Sequence, residues 1–199
     1  MFNKFRDLLA KKPWIFNVLR NIIEFNFTKE KELIRKAFGD SAGKTILDIG
    51  CGTGTFAPLF VDDIYYGIDL SPDYIQHAKK NKKGTFKIMN ATQLEFPDEK
   101  FDYALIMAVL HHCDSETVQQ ILRETRRVLK TQGKALVIEV SHSTEMDNFI
   151  FRFLRKFDKG DYIRSPQEYA QLILNNFKID KEMTFRSGLY VYHSFEVYK

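Results

Sequence analysis

An apolar strand runs into a glycine-rich turn in the segment Ile46-Leu47-Asp48-Ile49-Gly50-Cys51-Gly52-Thr53-Gly54. The pattern predicts a strand over 44–49 and a helix over 55–60. The three glycines allow the backbone to pass close to a ligand, because no Cβ is in the way. Open α/β sheets bind their ligands at the carboxyl ends of strands, which is where this turn lies. The segment therefore predicts a binding site at the first strand-to-helix junction.

The glycine spacing argues against two common nucleotide-binding patterns. A dinucleotide fingerprint G-x-G-x-x-G would need glycine at Thr55, whereas this chain has G-x-G-x-G. The phosphate-binding pattern G-x-x-x-x-G-K-[ST] is also absent, which argues against an NTPase. Three glycines alone would also suit a tight turn that binds nothing.

Asp69 is a second signal for a ligand. It follows a strand predicted over 64–68, about 20 residues beyond the first glycine, where a carboxylate can accept both hydroxyl protons of a ribose. The alternative is an aspartate that is favoured there only by the dipole of the next helix.

Strands and helices alternate along most of the chain. Further strands are predicted over 85–89, 101–107 and 134–140, and helices over 28–38, 71–81, 115–130, 146–157 and 165–176. Near-continuous apolar strands of this kind predict a mostly parallel sheet covered on both faces. Two final strands flank Arg186-Ser187-Gly188, which predicts an antiparallel hairpin. The expected fold class is therefore α/β, with a doubly wound, mostly parallel seven-stranded sheet and an antiparallel edge strand.

Composition and charge limit the function classes. The 199 residues are 44% hydrophobic and 28% charged, as in an ordinary globular domain. Two cysteines, Cys51 and Cys113, are too few for a disulfide scaffold or a four-cysteine zinc site. Residues 1–36 contain nine basic and four acidic residues, which is a net charge of +5. Because the whole chain has a net charge of +4, the other 163 residues sum to −1. A nearly neutral body argues against a nucleic-acid groove.

An N-terminal helical arm or lid is predicted over residues 1–40, ahead of the sheet domain over 41–199. Its apolar load consists of Trp14, Ile15, Phe16, Val18, Leu19, Ile22, Ile23, Phe25 and Phe27. Three roles are open: a lid, a peripheral contact with an anionic membrane, or a helix packed on the sheet. No signal peptide or membrane-spanning stretch is recognised, so a cytoplasmic location is expected.

Five segments of the chain, taken in sequence order, resemble the motifs of class I S-adenosylmethionine-dependent methyltransferases of the small-molecule group. The matching segments are ILDIGCGTG (46–54), GIDLSPDYIQHAKK (67–80), NATQLEFPDEKFD (90–102), ALIMAVLHHC (104–113) and ILRETRRVLKTQGKALVIE (121–139). The resemblance covers about 44–140. It implies a Rossmann-like methyltransferase fold and S-adenosylmethionine as cofactor, with S-adenosylhomocysteine as product.

The resemblance also implies the cofactor-binding residues. They are Asp48 and the loop of Gly50, Cys51, Gly52 and Gly54 for the methionine part, Asp69 for the ribose, Leu70, Asn90 and Ala91 for the adenine, and the carbonyl of Met107 for the amino group. The family usually has aspartate where this chain has Asn90, whose side-chain carbonyl can still accept from the adenine amino group.

Catalytic residues are expected just after the fourth strand. There, His112 is the preferred general base, since imidazole titrates near neutral pH, and capping or packing at the strand end is the alternative. Tyr162 and Arg164 are candidates to hold a polar acceptor, with surface ion pairs as the alternative. No metal site is expected, because adjacent His and Cys side chains point apart.

The expected acceptor is a small molecule, which could be partly apolar. DNA amino-methyltransferases of similar fold carry an Asn/Asp-Pro-Pro-aromatic motif where this chain has Met107-Ala108-Val109-Leu110, so nucleic acid is not expected. A lipid or quinone at a membrane surface and a non-catalytic partner subunit stay open as alternatives. No feature of the sequence predicts an oligomeric state.

Overall fold

A computed structural model of the chain describes residues 25–39, 41–141, 161–188 and 190–199. The helices predicted over residues 1–24 and 146–157 lie outside these ranges, as does most of the apolar load of the arm. Among the helices in the described ranges, none combines the length and the apolar character needed to cross a bilayer.

Seven strands form one sheet at the centre of the molecule. They are β1 (Thr45–Ile49), β2 (Ile64–Asp69), β3 (Thr85–Ile88), β4 (Phe101–Met107), β5 (Leu129–Val140), β6 (Lys178–Ser187) and β7 (Tyr190–Tyr198). Their order across the sheet is β3-β2-β1-β4-β5-β7-β6. In the described sheet, β7 runs against both of its neighbours, so the α/β class and the antiparallel edge are confirmed.

Helices cover both faces of this sheet because successive side chains of each strand point to opposite faces. The helices are α1 (Thr28–Phe38), α2 (Pro72–Asn81), α3 (Ser115–Val128) and α4 (Pro166–Leu174). On β1, Leu47 is buried in the same cluster as Leu122 of α3, whereas Ile46 is buried in the cluster of Ile34 from α1. Both faces of the central strands are therefore apolar, as the sequence predicts for a parallel sheet.

Local capping residues fix where several helices begin and end. The α1 helix ends at Phe38, as predicted, and Gly39 follows it with φ of 60°. Ser71 caps α2 by accepting from the amide of Tyr74, with proline at the first helical position. Ser165 and Glu168 form a reciprocal capping box at the start of α4.

Two predicted elements differ in the structure. The helix predicted over 55–60 is wrong: turns lead into a single 3₁₀ turn, Ala57–Leu59, where Pro58 has no N–H to extend a helical ladder. The fifth strand begins at Leu129 rather than residue 134. Its pairing with β4 is irregular, since Leu129 pairs with Phe101 and Lys134 already with Tyr103.

Candidate active site

The glycine loop, defined here as residues 50–54, lies at the carboxyl end of β1. Gly50, Gly52 and Gly54 all have φ between 54° and 72°, a region that L side chains rarely adopt. A Cβ on Gly50 would lie 2.3 Å from Cγ2 of Val109, so the loop passes directly against the residues after β4. A Cβ on Gly52 would meet no heavy atom within 4 Å. The loop is thus packed on one side and open on the other.

Asp69 joins this loop to the start of α2. Its Oδ2 accepts from the amide of Gly52 at 2.9 Å, and its Oδ1 accepts from the amide of Ser71 at 2.8 Å. Each carboxylate oxygen has two lone pairs, so Asp69 can accept further hydrogen bonds. The next residue, Leu70, is 68% exposed. The structure therefore brings together the glycine loop, a carboxylate and an exposed apolar side chain, as the sequence predicts.

The amides of the glycine loop are largely used inside the protein. Cys51 donates to the carbonyl of Ile68 at 2.9 Å, and Gly54 donates to the carbonyl of Cys51 at 2.9 Å. With Gly52 bonded to Asp69, three of the five loop amides already have partners inside the protein, so we expect the carbonyl oxygens of the loop to contribute to ligand binding. Carbonyl oxygens suit a cationic group such as an ammonium.

Asp48 is buried behind the loop with a partner that the sequence analysis missed. The hydroxyl of Tyr65, on β2, donates to Oδ2 of Asp48 at 2.5 Å. Burial raises the pKa of Asp48 to about 7; the bond from Tyr65 lowers the pKa and the charge of Asp69 raises it. The charge state of this carboxyl can therefore respond to a nearby cation.

Gly67 is a second residue that the sequence motifs did not single out. A Cβ at Gly67 would lie 2.8 Å from Sγ of Cys51, so only glycine leaves room for this side chain under the loop. Burial raises the pKa of the Cys51 thiol, which makes it an apolar packing group rather than a nucleophile.

The segment predicted to contact adenine follows β3. Oδ1 of Asn90 accepts from the amide of Thr92 at 3.0 Å, which holds the chain in a tight turn around Ala91. The amide of Met89 donates to the carbonyl of Asp69 at 3.1 Å, so this turn lies beside the end of β2. Met107 is buried at the end of β4.

The histidine turn, defined here as residues 109–113, follows β4 and contains the 3₁₀ turn Leu110–His112. Ala108 precedes it with φ of 54°, and its amide donates to the carbonyl of Ile138 on β5 at 2.8 Å. His111 is buried and His112 is exposed, with ring centroids 4.0 Å apart. The two neighbouring imidazoles thus have different environments.

A buried carboxylate, Glu139 of β5, organises the start of the histidine turn. Its Oε1 accepts from the amides of Val109 at 2.9 Å and Leu110 at 2.7 Å. Its Oε2 accepts from the amide of His111 at 3.3 Å and lies 2.8 Å from Nδ1 of the same residue. Sequence analysis did not single out Glu139. The available signal was an acidic residue inside the apolar strand KALVIEV.

Arg164 has a different role from the one expected. Its guanidinium donates to the carbonyls of Leu110 at 3.1 Å, Tyr162 at 3.1 Å and Cys113 at 2.9 Å. The residue is 8% exposed, so this cation binds backbone carbonyls of the chain rather than facing a polar acceptor. Tyr162 is 44% exposed, and its amide donates to the carbonyl of His111 at 3.0 Å. Of the two predicted acceptor contacts, only Tyr162 has an exposed side chain beside the turn.

Metal ligation has no candidate site in the described part of the chain. Within these ranges, no group of three or more His, Cys, Asp or Glu side chains is arranged to hold an ion. Burial, followed by the charges of Glu139 and Asp114, raises the pKa of the Cys113 thiol.

Comparisons with known proteins agree with this geometry. A family model described as a methyltransferase domain matches residues 47–137. A demethylmenaquinone methyltransferase of Geobacillus kaustophilus is 28% identical over 174 residues, which is 79% of this chain and 74% of that protein.

Two solved structures share the fold. Magnesium protoporphyrin IX methyltransferase from Synechocystis PCC 6803, with bound S-adenosylhomocysteine, has a TM-score of 0.72 at 18% identity, covering 91% of this chain and 87% of that one. The [4+2]-cyclase SpnF has a TM-score of 0.71 at 20% identity, covering 86% and 80%. Residues 47–137 thus match a methyltransferase domain, and the chain shares the Rossmann-like fold of class I S-adenosylmethionine-dependent methyltransferases.

Proposed function

We propose that this enzyme methylates a small molecule with an apolar part, at the carboxyl ends of β1, β2 and β4. The observation that carries the proposal is the contact between Asp69 and Gly52, which places a carboxylate beside the open side of the glycine loop. The carboxylate can accept the hydroxyl protons of a ribose. The open side of the loop allows a ligand to approach the backbone closely.

The site residues fit S-adenosylmethionine. We assign the cationic methionine end to Asp48 and the carbonyls of the glycine loop and Met107, since these groups are anionic or accept hydrogen bonds. Asp69 is assigned to the ribose. Leu70, Asn90 and Ala91 are assigned to the adenine, where the exposed side chain of Leu70 offers an apolar contact.

The chain has two tasks beyond holding its cofactor. S-adenosylmethionine supplies, when bound, a methyl group that is already activated as a sulfonium. The protein therefore has to align the acceptor and remove its proton where the acceptor carries one. We assign proton removal to His112, whose exposed imidazole lies at the end of the histidine turn, and acceptor contact to the ring of Tyr162.

An acceptor with an apolar ring is supported by two observations. The Geobacillus kaustophilus relative is named for demethylmenaquinone, a quinone. Tyr162, whose amide donates to the carbonyl of His111 in the histidine turn, has an aromatic side chain that is 44% exposed.

The arm over residues 1–40 is proposed to serve this acceptor. Its net charge of +5 over residues 1–36 and its apolar load suit a lid or a peripheral contact with an anionic membrane in the cytoplasm. The sheet domain over 41–199 would then supply the cofactor site.

The test is transfer of a labelled methyl group from S-adenosylmethionine into a cell extract separated into lipid-soluble and water-soluble pools. We expect label in the lipid-soluble pool with the native protein and none with Asp69→Ala. Label only in the water-soluble pool would overturn the quinone-like acceptor. If calorimetry also detected no binding of S-adenosylhomocysteine, the assigned cofactor site would be wrong.

A further inference from the structure

Two buried charges of opposite sign hold the histidine turn from its two ends. Glu139 accepts from three successive amides at the start of the turn, Val109 to His111. Arg164 donates to the carbonyl of Cys113 at the other end and to the carbonyl of Leu110, which also accepts from the amide of Cys113 within the turn. A helical turn leaves N–H groups unpaired at its start and C=O groups at its end, so the two charges complement it.

Burial makes these contacts specific. Glu139 is 0% exposed and Arg164 is 8% exposed, so neither charge is balanced mainly by water. A buried ion is tolerated only when hydrogen bonds replace its hydration, and charge-assisted hydrogen bonds are the stronger kind. Any displacement of the turn would therefore remove hydrogen bonds from a buried charge.

The turn is also entered through an unfavourable backbone conformation. Ala108 has φ of 54°, although it has a Cβ. Its amide donates to Ile138, and the next three amides all bond to Glu139, one residue further along β5. These bonds from β5 keep the chain in a conformation that it would otherwise leave.

The position of the histidine turn affects two groups of the assigned site. Val109 lies against Gly50, where a Cβ would come within 2.3 Å of its Cγ2, so the turn sets the back of the glycine loop. Oε2 of Glu139 lies 2.8 Å from Nδ1 of His111, so the carboxylate places the imidazole proton on that nitrogen. The ring of His111 lies against that of His112.

We propose that Glu139 and Arg164 are positioning residues, which set the glycine loop through Val109 and the imidazole of His112 through His111. The proposal rests on the assigned roles of the glycine loop and His112. Glu139 and Arg164 are assigned no direct contact with the cofactor or the acceptor, and they act through the histidine turn.

The first experiment compares native protein with Glu139→Gln, which keeps the side chain's shape but removes its charge and one acceptor. Calorimetry measures binding of S-adenosylhomocysteine at a temperature where circular dichroism shows both proteins folded. We expect the Kd to rise about tenfold, equal to about 1.4 kcal/mol. Nitrogen NMR of the five imidazoles, assigned by His→Gln variants, should show shifted signals for both His111 and His112.

Arg164 is tested by a pair of variants. Lysine keeps the charge but lacks the forked donors, so Arg164→Lys should retain part of the affinity and of the native His112 signal, whereas Arg164→Met should lose both. This graded recovery is not expected if Arg164 merely fills space.

Asp102→Asn is the matched control, because it neutralises a carboxylate that also accepts from backbone and side chain. Asp102 accepts from the amide and hydroxyl of Thr45 at 2.9 and 2.7 Å, at the amino ends of β1 and β4, away from the site. We expect it to lower the Tm without changing the Kd or the His112 signal.

If Glu139→Gln lowers the Tm but leaves the Kd within twofold of native and the His112 signals in place, the positioning role is wrong. If the native protein binds no S-adenosylhomocysteine while Glu139→Gln still shifts His112, the cofactor assignment fails and the link between Glu139 and His112 survives.

Discussion

The hydroxyl of Tyr65 donates to the buried carboxyl of Asp48 across the β1–β2 pair, with 2.5 Å between the oxygens. The bond favours the ionised form of Asp48, whereas burial favours the neutral form. Burial has the larger effect, so the pKa of Asp48 is about 7. Asp48 is therefore held close to its titration point near neutral pH, where a cationic ligand would favour the carboxylate.

The first prediction concerns stability and pH. Asp48 has a pKa of about 7 in the folded chain, compared with 3.8 for an ordinary aspartate. Between these values the folded chain keeps a proton that the unfolded chain releases, so the free energy of unfolding falls as the pH rises from about 4 to about 7. Asp48→Asn removes this effect, worth up to about 4 kcal/mol. Thermal unfolding at pH 5 and pH 8 should show a smaller difference for the variant.

Tyr65→Phe is the complementary variant for this carboxyl. It removes a bond that lowers the pKa of Asp48, so the pH range over which stability falls should extend upward. Identical pH profiles for the native protein and Asp48→Asn would show that Asp48 does not titrate in this range.

The second prediction separates strain from ligand contact in the glycine loop. Gly52 and Gly43 both have positive φ, 54° and 75°, and a Cβ added at either position would have no heavy atom within 4 Å. Alanine at either position should cost about 1–2 kcal/mol through backbone strain. Only Gly52→Ala should also abolish binding of S-adenosylhomocysteine, because its Cβ would enter the open side of the loop. Equal affinities in calorimetry would place the ligand elsewhere.

The third prediction tests the general base. His112→Gln should lower kcat about 100-fold, since loss of a positioned base typically costs about 10² to 10⁴. The Kd for S-adenosylhomocysteine and the Tm should stay close to native, because the side chain is exposed. The contrasting variant His111→Gln disturbs the buried contact with Glu139 and should lower the Tm. Unchanged turnover in folded His112→Gln would remove this residue from the reaction.

The fourth prediction concerns stability alone. Nζ of Lys100 lies 3.9 Å from the ring centroid of Tyr66 and 4.7 Å from that of Phe96. Cation–π contacts of this kind contribute about 0.5–2 kcal/mol, so Lys100→Met should lower the free energy of unfolding in urea by about 1 kcal/mol. Lys87→Met is the control, since Lys87 lies farther from Phe96, at 5.4 Å. Lys87→Met should therefore lose less, and equal losses in the two variants would contradict a contribution that weakens with distance from the ring.

The fold and the cofactor motif could be predicted because their signals are local. Apolar runs predicted β1 to β4 to within one residue at each end, whereas β5 begins five residues before its predicted start, and the helix predicted from residue 71 begins at Pro72. Gly52 and Asp69 meet because carboxyl ends of adjacent parallel strands lie side by side. The helix prediction over 55–60 is wrong because Pro58, inside this segment, has no N–H to donate to a helical ladder.

Arg164 was assigned to the wrong partner for a different reason. A cation after the fifth strand can face solvent, a ligand or the backbone, and its sequence position is the same in all three cases. Its hydrogen bonds to Leu110 and Cys113 link residues more than 50 positions apart, so their existence depends on how β4, β5 and the following segment pack.

The amino-acid sequence by itself determined the strands of the sheet, the glycine loop and the carboxylate at Asp69, since strand periodicity and turn residues are properties of short segments. Tertiary packing alone decided that Tyr65 bonds to Asp48, that Glu139 and Arg164 enclose the histidine turn, and that His111 is buried while His112 is exposed. Those contacts depend on which buried charge reaches which backbone group, and a buried charge takes its partners from whatever the fold brings within hydrogen-bond distance.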